Sequence, residues 1–320
     1  MFQILNLTAP IYLIIAVGFL AVRHGLFSKD DTRVMGRFVI QFCVPALIFR
    51  ALSQRSLHDV LNAPYLIAYA LGSVGVSLGM MAYAYKRRGH AMPMAAMQGL
   101  GVSASNSAFI GYPILTQTIG PAMAGVGLAL SMIIENLVAL PLALAMADSG
   151  GHDGSGRQRW HQTLARTLRG LLKNPMIIAI LAGFAFAMLN VQLPEVLSRT
   201  VQIVATAASP VALFVIGGSL VGLKLGGVRR DIANVAVGKL VLHPLAVFCV
   251  LWLLPPLDPQ LRIAAVVLAG MPMLSMYPVV AQRYHGEGFC AAALLVTTVA
   301  SFVSISLLLW GMHAVLGWTP

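Results

Sequence analysis

Residues 101–121 read GVSASNSAFIGYPILTQTIGP, inside an apolar segment long enough to cross a bilayer. The middle of this stretch is unsuited to an uninterrupted helix. Ser103, Ser105, Asn106 and Ser107 are polar, Gly111 is flexible, and Pro113 lacks an N–H and clashes with the preceding turn. Within hydrocarbon every backbone polar group needs a partner, so such a break persists only where protein or water covers it. Broken spans of this kind carry the substrate site in many secondary transporters; a simple kink is the alternative reading.

A second stretch shifts the balance toward the first reading. Met271–Gly286, MPMLSMYPVVAQRYHG, holds Pro272 and Pro278 in a similar context. Tyr112-Pro113 and Tyr277-Pro278 lie 165 residues apart, as do Gln117 and Gln282. The same offset relates Pro10 to Pro175, Gly18-Phe19 to Gly183-Phe184, Pro45 to Pro210 and Phe49 to Phe214. One gapless register joining these prolines with their Gly, Phe, Tyr and Gln neighbours implies a duplicated chain.

The composition is that of a membrane protein: 58% hydrophobic, 10% charged, with a mean hydropathy of +0.84. Ten spans are expected, at about 6–24, 34–52, 63–85, 93–117, 122–147, 174–191, 197–222, 232–254, 260–282 and 288–316. The N-terminus has no basic region before its apolar run, so a cleaved signal peptide is not expected. Cys43, Cys249 and Cys290 sit in apolar spans with no metal-type spacing.

The formal charge of +11 does not form one basic patch, which argues against nucleic acid. Of 21 Lys and Arg, 16 fall in loops after odd-numbered spans, from Arg23 and Lys29 to Arg157, Arg159, Arg166, Arg169, Lys224 and Arg283. Arg50, Arg55, Arg199 and Arg262 lie on the other side. The positive-inside rule then puts the odd loops in the cytoplasm of an inner-membrane protein, with both termini outside. Each copy has five spans, so the two insert in opposite orientations. The expected organisation is therefore a first repeat over 1–147, a cytoplasmic linker over 148–173 and an inverted second repeat over 174–320. The basic end of that linker would face membrane lipid.

At the first break, Ser105, Asn106, Ser107, Gly111, Tyr112 and Pro113 supply hydroxyl, amide and freed backbone groups. Peptide N–H groups at the start of a half-helix carry partial positive charge and suit a carboxylate. The second break offers Met271, Pro272, Ser275, Tyr277, Pro278 and Gln282, and is the less polar of the two. Together these are the candidate substrate-binding residues, for a small organic anion; the alternative is that the polar groups only tie helices together.

Two charges lie deep in apolar spans: Glu135, followed by Asn136, and Lys239, one turn before His243. Intramembrane charges are costly and face a cavity or a partner. One reading makes Glu135 or His243 a proton-linked group, or Lys239 the counter-charge for the anion. The other makes them a structural pair, or has Lys239 reach toward the interface. No metal-ligating, nucleophile-elbow or phosphate-loop pattern appears, so neither an enzyme nor a bound cofactor is expected.

With its ten spans in two inverted fives, NSAFIGYP in span four, KLVLHP at 239–244 and a proline-broken span nine, the chain resembles the auxin efflux carrier family. That family belongs to the wider bile-acid-symporter-like fold. The resemblance implies an all-α membrane protein whose fourth and ninth spans are broken and cross, and a homodimer through spans one, two, six and seven. The plant members carry Asn-Pro-Asn motifs and export an indole acid. Here Ser105-Asn106-Ser107 and Gly270-Met271-Pro272 stand instead, and the chain is similar to bacterial members that look like malonate or other dicarboxylate carriers. Proton and sodium coupling both stay open. Other readings are a sodium-coupled symporter of a bulkier amphipathic anion and a membrane sensor that does not transport.

Overall fold

A computed structural model describes residues 2–54, 62–149, 173–189, 191–222 and 229–316. All regular elements among these residues are helices. Residues 150–172 of the expected linker, with Arg157, Arg159, Arg166 and Arg169, lie outside the described residues, as do Arg55 and Lys224.

The first half contains α1 (Phe2–Arg23), then α2 (Lys29–Phe38) and α3 (Val44–Ser53), α4 (Ala63–Lys86), α5 (Met92–Ser103), α6 (Tyr112–Thr118), α7 (Pro121–Ile134) and α8 (Leu140–Ser149). The second contains α9 (Pro175–Leu189), α10 (Glu195–Thr206), α11 (Ala208–Ser219), α12 (Arg229–Val237), α13 (His243–Leu253), α14 (Pro259–Ala269), α15 (Tyr277–Ala281) and α16 (Glu287–Leu316). Among the described residues, six helical stretches are long and apolar enough to cross a membrane: Lys29–Ser53, Ala63–Lys86, Pro121–Ser149, Glu195–Ser219, Arg229–Leu253 and Glu287–Met312. Where spans four and nine are expected, shorter helices stand in pairs, α5 with α6 and α14 with α15. None of these four reaches across a core of about 30 Å by itself.

Among the described residues, four widened, π-type turns interrupt the helices, at Val39–Cys43, Ser107–Gly111, Glu135–Ala139 and Gly238–Leu242. Each is followed at the second residue by a proline: Pro45, Pro113, Pro141 and Pro244. The cause is local. A proline ring collides with the carbonyl four residues before it and offers no N–H, and a wider turn relieves both. Two of these turns hold Glu135 and Lys239, so proline placement sets the backbone from which the buried charges project.

Helix ends are capped by sequence. Asn62 accepts from the Tyr65 amide at the start of α4, and Asp258 accepts from Gln260 and Leu261 at the start of α14. Pro259 at the first position of α14 needs no amide acceptor. Ser28 and Asp31 form a reciprocal capping box on α2.

Close helix packing depends on glycine. A Cβ on Gly18 of α1 would collide with the Phe214 carbonyl on α11. One on Gly183 of α9 would stand 2.8 Å from Leu52 Cβ and 3.3 Å from the Phe49 carbonyl on α3. Small residues let backbones meet where lipid supplies no hydrophobic drive between helices. Outside these contacts, large apolar side chains such as Leu13, Trp252 and Leu253 are exposed, the surface a bilayer covers.

Candidate functional site

Helix α5 ends at Ser103, and Ala104 is extended at φ −96°, ψ 127°. Across from it α14 ends at Ala269. The two irregular segments meet through their backbones. Ser105 and Met273 form an isolated antiparallel bridge, and the Asn106 amide donates to the Pro272 carbonyl at 2.8 Å. Asn106 Nδ2 donates to Ser275 Oγ at 2.8 Å. Backbone groups released by one interruption are thus satisfied by the other, as a water-poor interior requires. After the junction the chain turns helical at Ser107, and the Ile110 and Gly111 amides close on the Asn106 carbonyl, both at 3.1 Å.

Behind this junction lies a buried charged network. The Lys239 ammonium, with no exposed surface, donates to Ser105 Oγ at 2.6 Å and the Ala269 carbonyl at 3.0 Å, and shares a hydrogen bond with His243 Nδ1 at 2.8 Å. His243 Nε2 pairs with Ser73 Oγ at 2.9 Å. On the other side, Glu135 Oε1 accepts from Ser107 Oγ at 2.6 Å and from the Tyr69 hydroxyl at 2.9 Å. The Tyr69 hydroxyl also lies 3.4 Å from Ser105 Oγ, which joins the acidic and basic ends. Three ammonium hydrogens therefore meet three acceptors, and the carboxylate has two hydroxyl donors. That is the condition for keeping charge in a low-dielectric interior.

Residues 3–309 match the model of the membrane transport protein family. The chain belongs to that family. A relative named "putative malonate transporter" from Rhizobium meliloti (strain 1021) is 27% identical over 315 residues, covering 97% of this chain and 96% of that protein. "Uncharacterized transporter YfdV" of Escherichia coli (strain K12) is 26% identical over 303 residues, 92% of each chain. "Auxin efflux carrier component 8" of Arabidopsis thaliana is 22% identical over 269 residues, 68% of this chain and 71% of that one. The resemblance to the auxin efflux carrier family is borne out, and the chain is a membrane-embedded transporter of this family.

Within this family member, the candidate residues divide into those the fold brings together and those it does not. Ser105, Asn106, Ser107, Met271, Pro272 and Ser275 converge at the junction, with Glu135, Lys239 and His243 behind it. Gly111 is pressed against Leu268 and Met271, so a Cβ there would displace both side chains. Tyr112 and Pro113 are buried at the start of α6. Tyr277 is fully buried, with its hydroxyl on the Met97 carbonyl at 2.8 Å, while Pro278 is half-buried. Asn136 donates to the Met132 carbonyl of its own helix, and Gln282 is exposed in the short turn Gln282–Tyr284. Neither shares a hydrogen bond with the junction.

The network also contains two residues that the motif reading missed, Tyr69 and Ser73 on α4. Their signal was present: Tyr65, Tyr69, Ser73 and Ser77 recur every fourth residue through an otherwise apolar span. That spacing puts four polar groups on one helix face. A second charged cluster lies at the end of α4, where Asp231 accepts from Arg88 Nε at 2.7 Å and pairs with His90 Nε2 at 3.0 Å.

Proposed function

We propose that this chain is a secondary transporter that carries a small organic anion, a carboxylate such as malonate or another dicarboxylate, across the inner membrane. The observation that carries the reading is the meeting of two interrupted helices beside a fully buried ammonium. The Asn106 amide bonds to Pro272, and Lys239 lies one hydrogen bond away through Ser105. In this reading the substrate carboxylate binds at the junction, against Asn106 and the first amides of the Ser107–Thr118 stretch. These amides have no preceding turn to accept from them. Lys239 supplies positive potential from behind, and Glu135 balances it once the anion leaves. The name of the Rhizobium relative supports a carboxylate substrate.

The same reading takes the chain as ten spans in two inverted five-helix repeats, 1–147 and 174–320, with both termini outside. Spans four and nine cross as broken helices. A pair of packing contacts supports it. Gly18 of α1 meets Phe214 of α11, while Gly183 of α9 meets Phe49 of α3. Gly18 and Gly183 are equivalent under the 165-residue offset, and so are Phe49 and Phe214. Each copy thus offers its glycine to the other's phenylalanine, the reciprocity expected of a two-fold relation. Access alternates as the unit bearing the junction moves against the helices α1–α3 and α9–α11, by an elevator-like or rocking step.

The test is uptake of labelled malonate into proteoliposomes holding the purified protein, with and without a proton gradient, and with sodium replaced by potassium. Uptake by the parent chain that disappears in Asn106→Ala, at unchanged folded yield, is the expected result. Undiminished uptake in that variant overturns the site. Absence of malonate uptake under every gradient overturns malonate as the substrate, and absence of uptake across a panel of dicarboxylates overturns the substrate class.

A further inference from the structure

Between the outer faces of α4 and the α12–α13 span lies an apolar groove whose inner wall includes Val102 of α5 and Gly238. Its volume is about 340 Å³, and its walls include Val76, Gly79 and Tyr83 on one side and Asn234, Val237 and Leu242 on the other. Val102 and Gly238 are its buried wall, and its exposed wall includes Gly79. A Cβ on Gly79 would meet nothing within 4 Å, whereas one on Gly72, a little over two turns earlier, would strike Val247. Val237 and Leu242 are about half exposed, so the groove faces the surrounding medium of a membrane protein.

Polarity changes along it in one direction. Val76 and Leu242 form the apolar end. Toward the other end Asn234 Nδ2 donates to the Tyr83 hydroxyl at 3.3 Å. The eight residues from Leu242 back to Asn234 span about 12 Å of helix. About one turn beyond this polar pair stand exposed Lys86, Arg87, Arg229 and Arg230. Arg88 is held separately by Asp231. Among the described residues, none of the four exposed cations takes part in an ion pair.

We propose that this groove binds one anionic phospholipid, with an acyl chain along Val76, Gly79 and Leu242 and the headgroup phosphate on the basic rim. An apolar slot of this length takes any acyl chain, and the unpaired cations at one end select the charge. Each Lys or Arg at a membrane surface favours an anionic lipid by about fivefold. The site is independent of the transported substrate.

Native mass spectrometry of the purified full chain in detergent tests this, with phosphatidylglycerol and phosphatidylcholine of identical acyl composition as probes. The parent chain should retain one phosphatidylglycerol about fivefold or more in preference to phosphatidylcholine. The double substitution Arg229→Gln/Arg230→Gln should lower that preference at least fivefold, with Lys86 and Arg87 keeping the remainder. Gly79→Phe, whose Cβ meets nothing within 4 Å, puts a ring at the groove wall and should weaken both. Equal retention of the two lipids by the parent chain overturns the proposal. So does Gly79→Phe that binds phosphatidylglycerol as well as the parent, or that loses a dimer instead of a lipid, which would mark the groove as a helix-docking face. Elution volume and thermal melting report whether Gly79→Phe folds; if it does not, the exposed arginine pair alone decides.

Discussion

The two segments that meet at the junction share a backbone role and differ in chemistry. In Ala104–Gly111 the side chains act: Ser105 accepts from Lys239, Asn106 donates to Ser275, and Ser107 donates to Glu135. In Gly270–Met276 the backbone acts through the Pro272 carbonyl, Ser275 is the one side chain that answers, accepting from Asn106, and Met271 and Met273 fill space and are fully buried. One segment is specified by polar identity and the other by path and volume. Two segments of unlike sequence can therefore form one junction, because a peptide carbonyl is present whatever the residue.

That contrast sets an order of expected effects. Lys239→Met removes the cation both segments share, through Ser105 on one side and Ala269 on the other, and leaves Glu135 uncompensated. A loss of about 3–5 kcal/mol is expected for one member of a buried charged network. Thermal melting in detergent reads it, and adding Glu135→Gln to the same chain should recover part. Strict additivity of the two would mean that Ser105 does not connect them.

Next comes the direct comparison. Ser107→Ala strips a 2.6 Å donor from the carboxylate and should cost about 1.5–3 kcal/mol. Met273→Leu, on the other segment, keeps volume and the backbone bridge and should cost less than about 1.5 kcal/mol. If the Met273 change proves the more damaging, the division into a side-chain half and a backbone half is wrong.

The smallest effect belongs to Tyr277→Phe. It removes the hydroxyl bond to Met97 but leaves the ring, so about 0.5–1.5 kcal/mol is expected. Transport should be retained, because that hydroxyl points into the α5 backbone and not the junction. Loss of uptake in a stable Tyr277→Phe variant would extend the functional half to α15.

Much of this was legible in the residue order. Pro113 marked the first break; Pro45, Pro141 and Pro244 also follow widened turns, but Pro10 lies inside the uninterrupted α1, so a proline alone does not settle where a helix widens. Glu135 and Lys239 stand out because charge in an apolar span is costly whatever surrounds it. Asn136 and Gln282 drew equal notice, yet Asn136 turns to its own helix and Gln282 to the surface. Tyr69 and Ser73 were overlooked since hydroxyls are cheap enough in a membrane helix to pass for packing.

By itself, then, the sequence determined the membrane class, the unfitness of the 101–121 stretch for one regular helix, and the few groups that cannot rest unpartnered. These follow from hydration and from covalent geometry acting over a few residues. Tertiary structure alone decided the partners: Lys239 with Ser105 across 134 positions, Ser73 with His243 across 170, Glu135 with Ser107 across 28. A buried charge must find acceptors, but which ones it finds depends on how helices distant in the chain pack side by side, and no local rule encodes that choice.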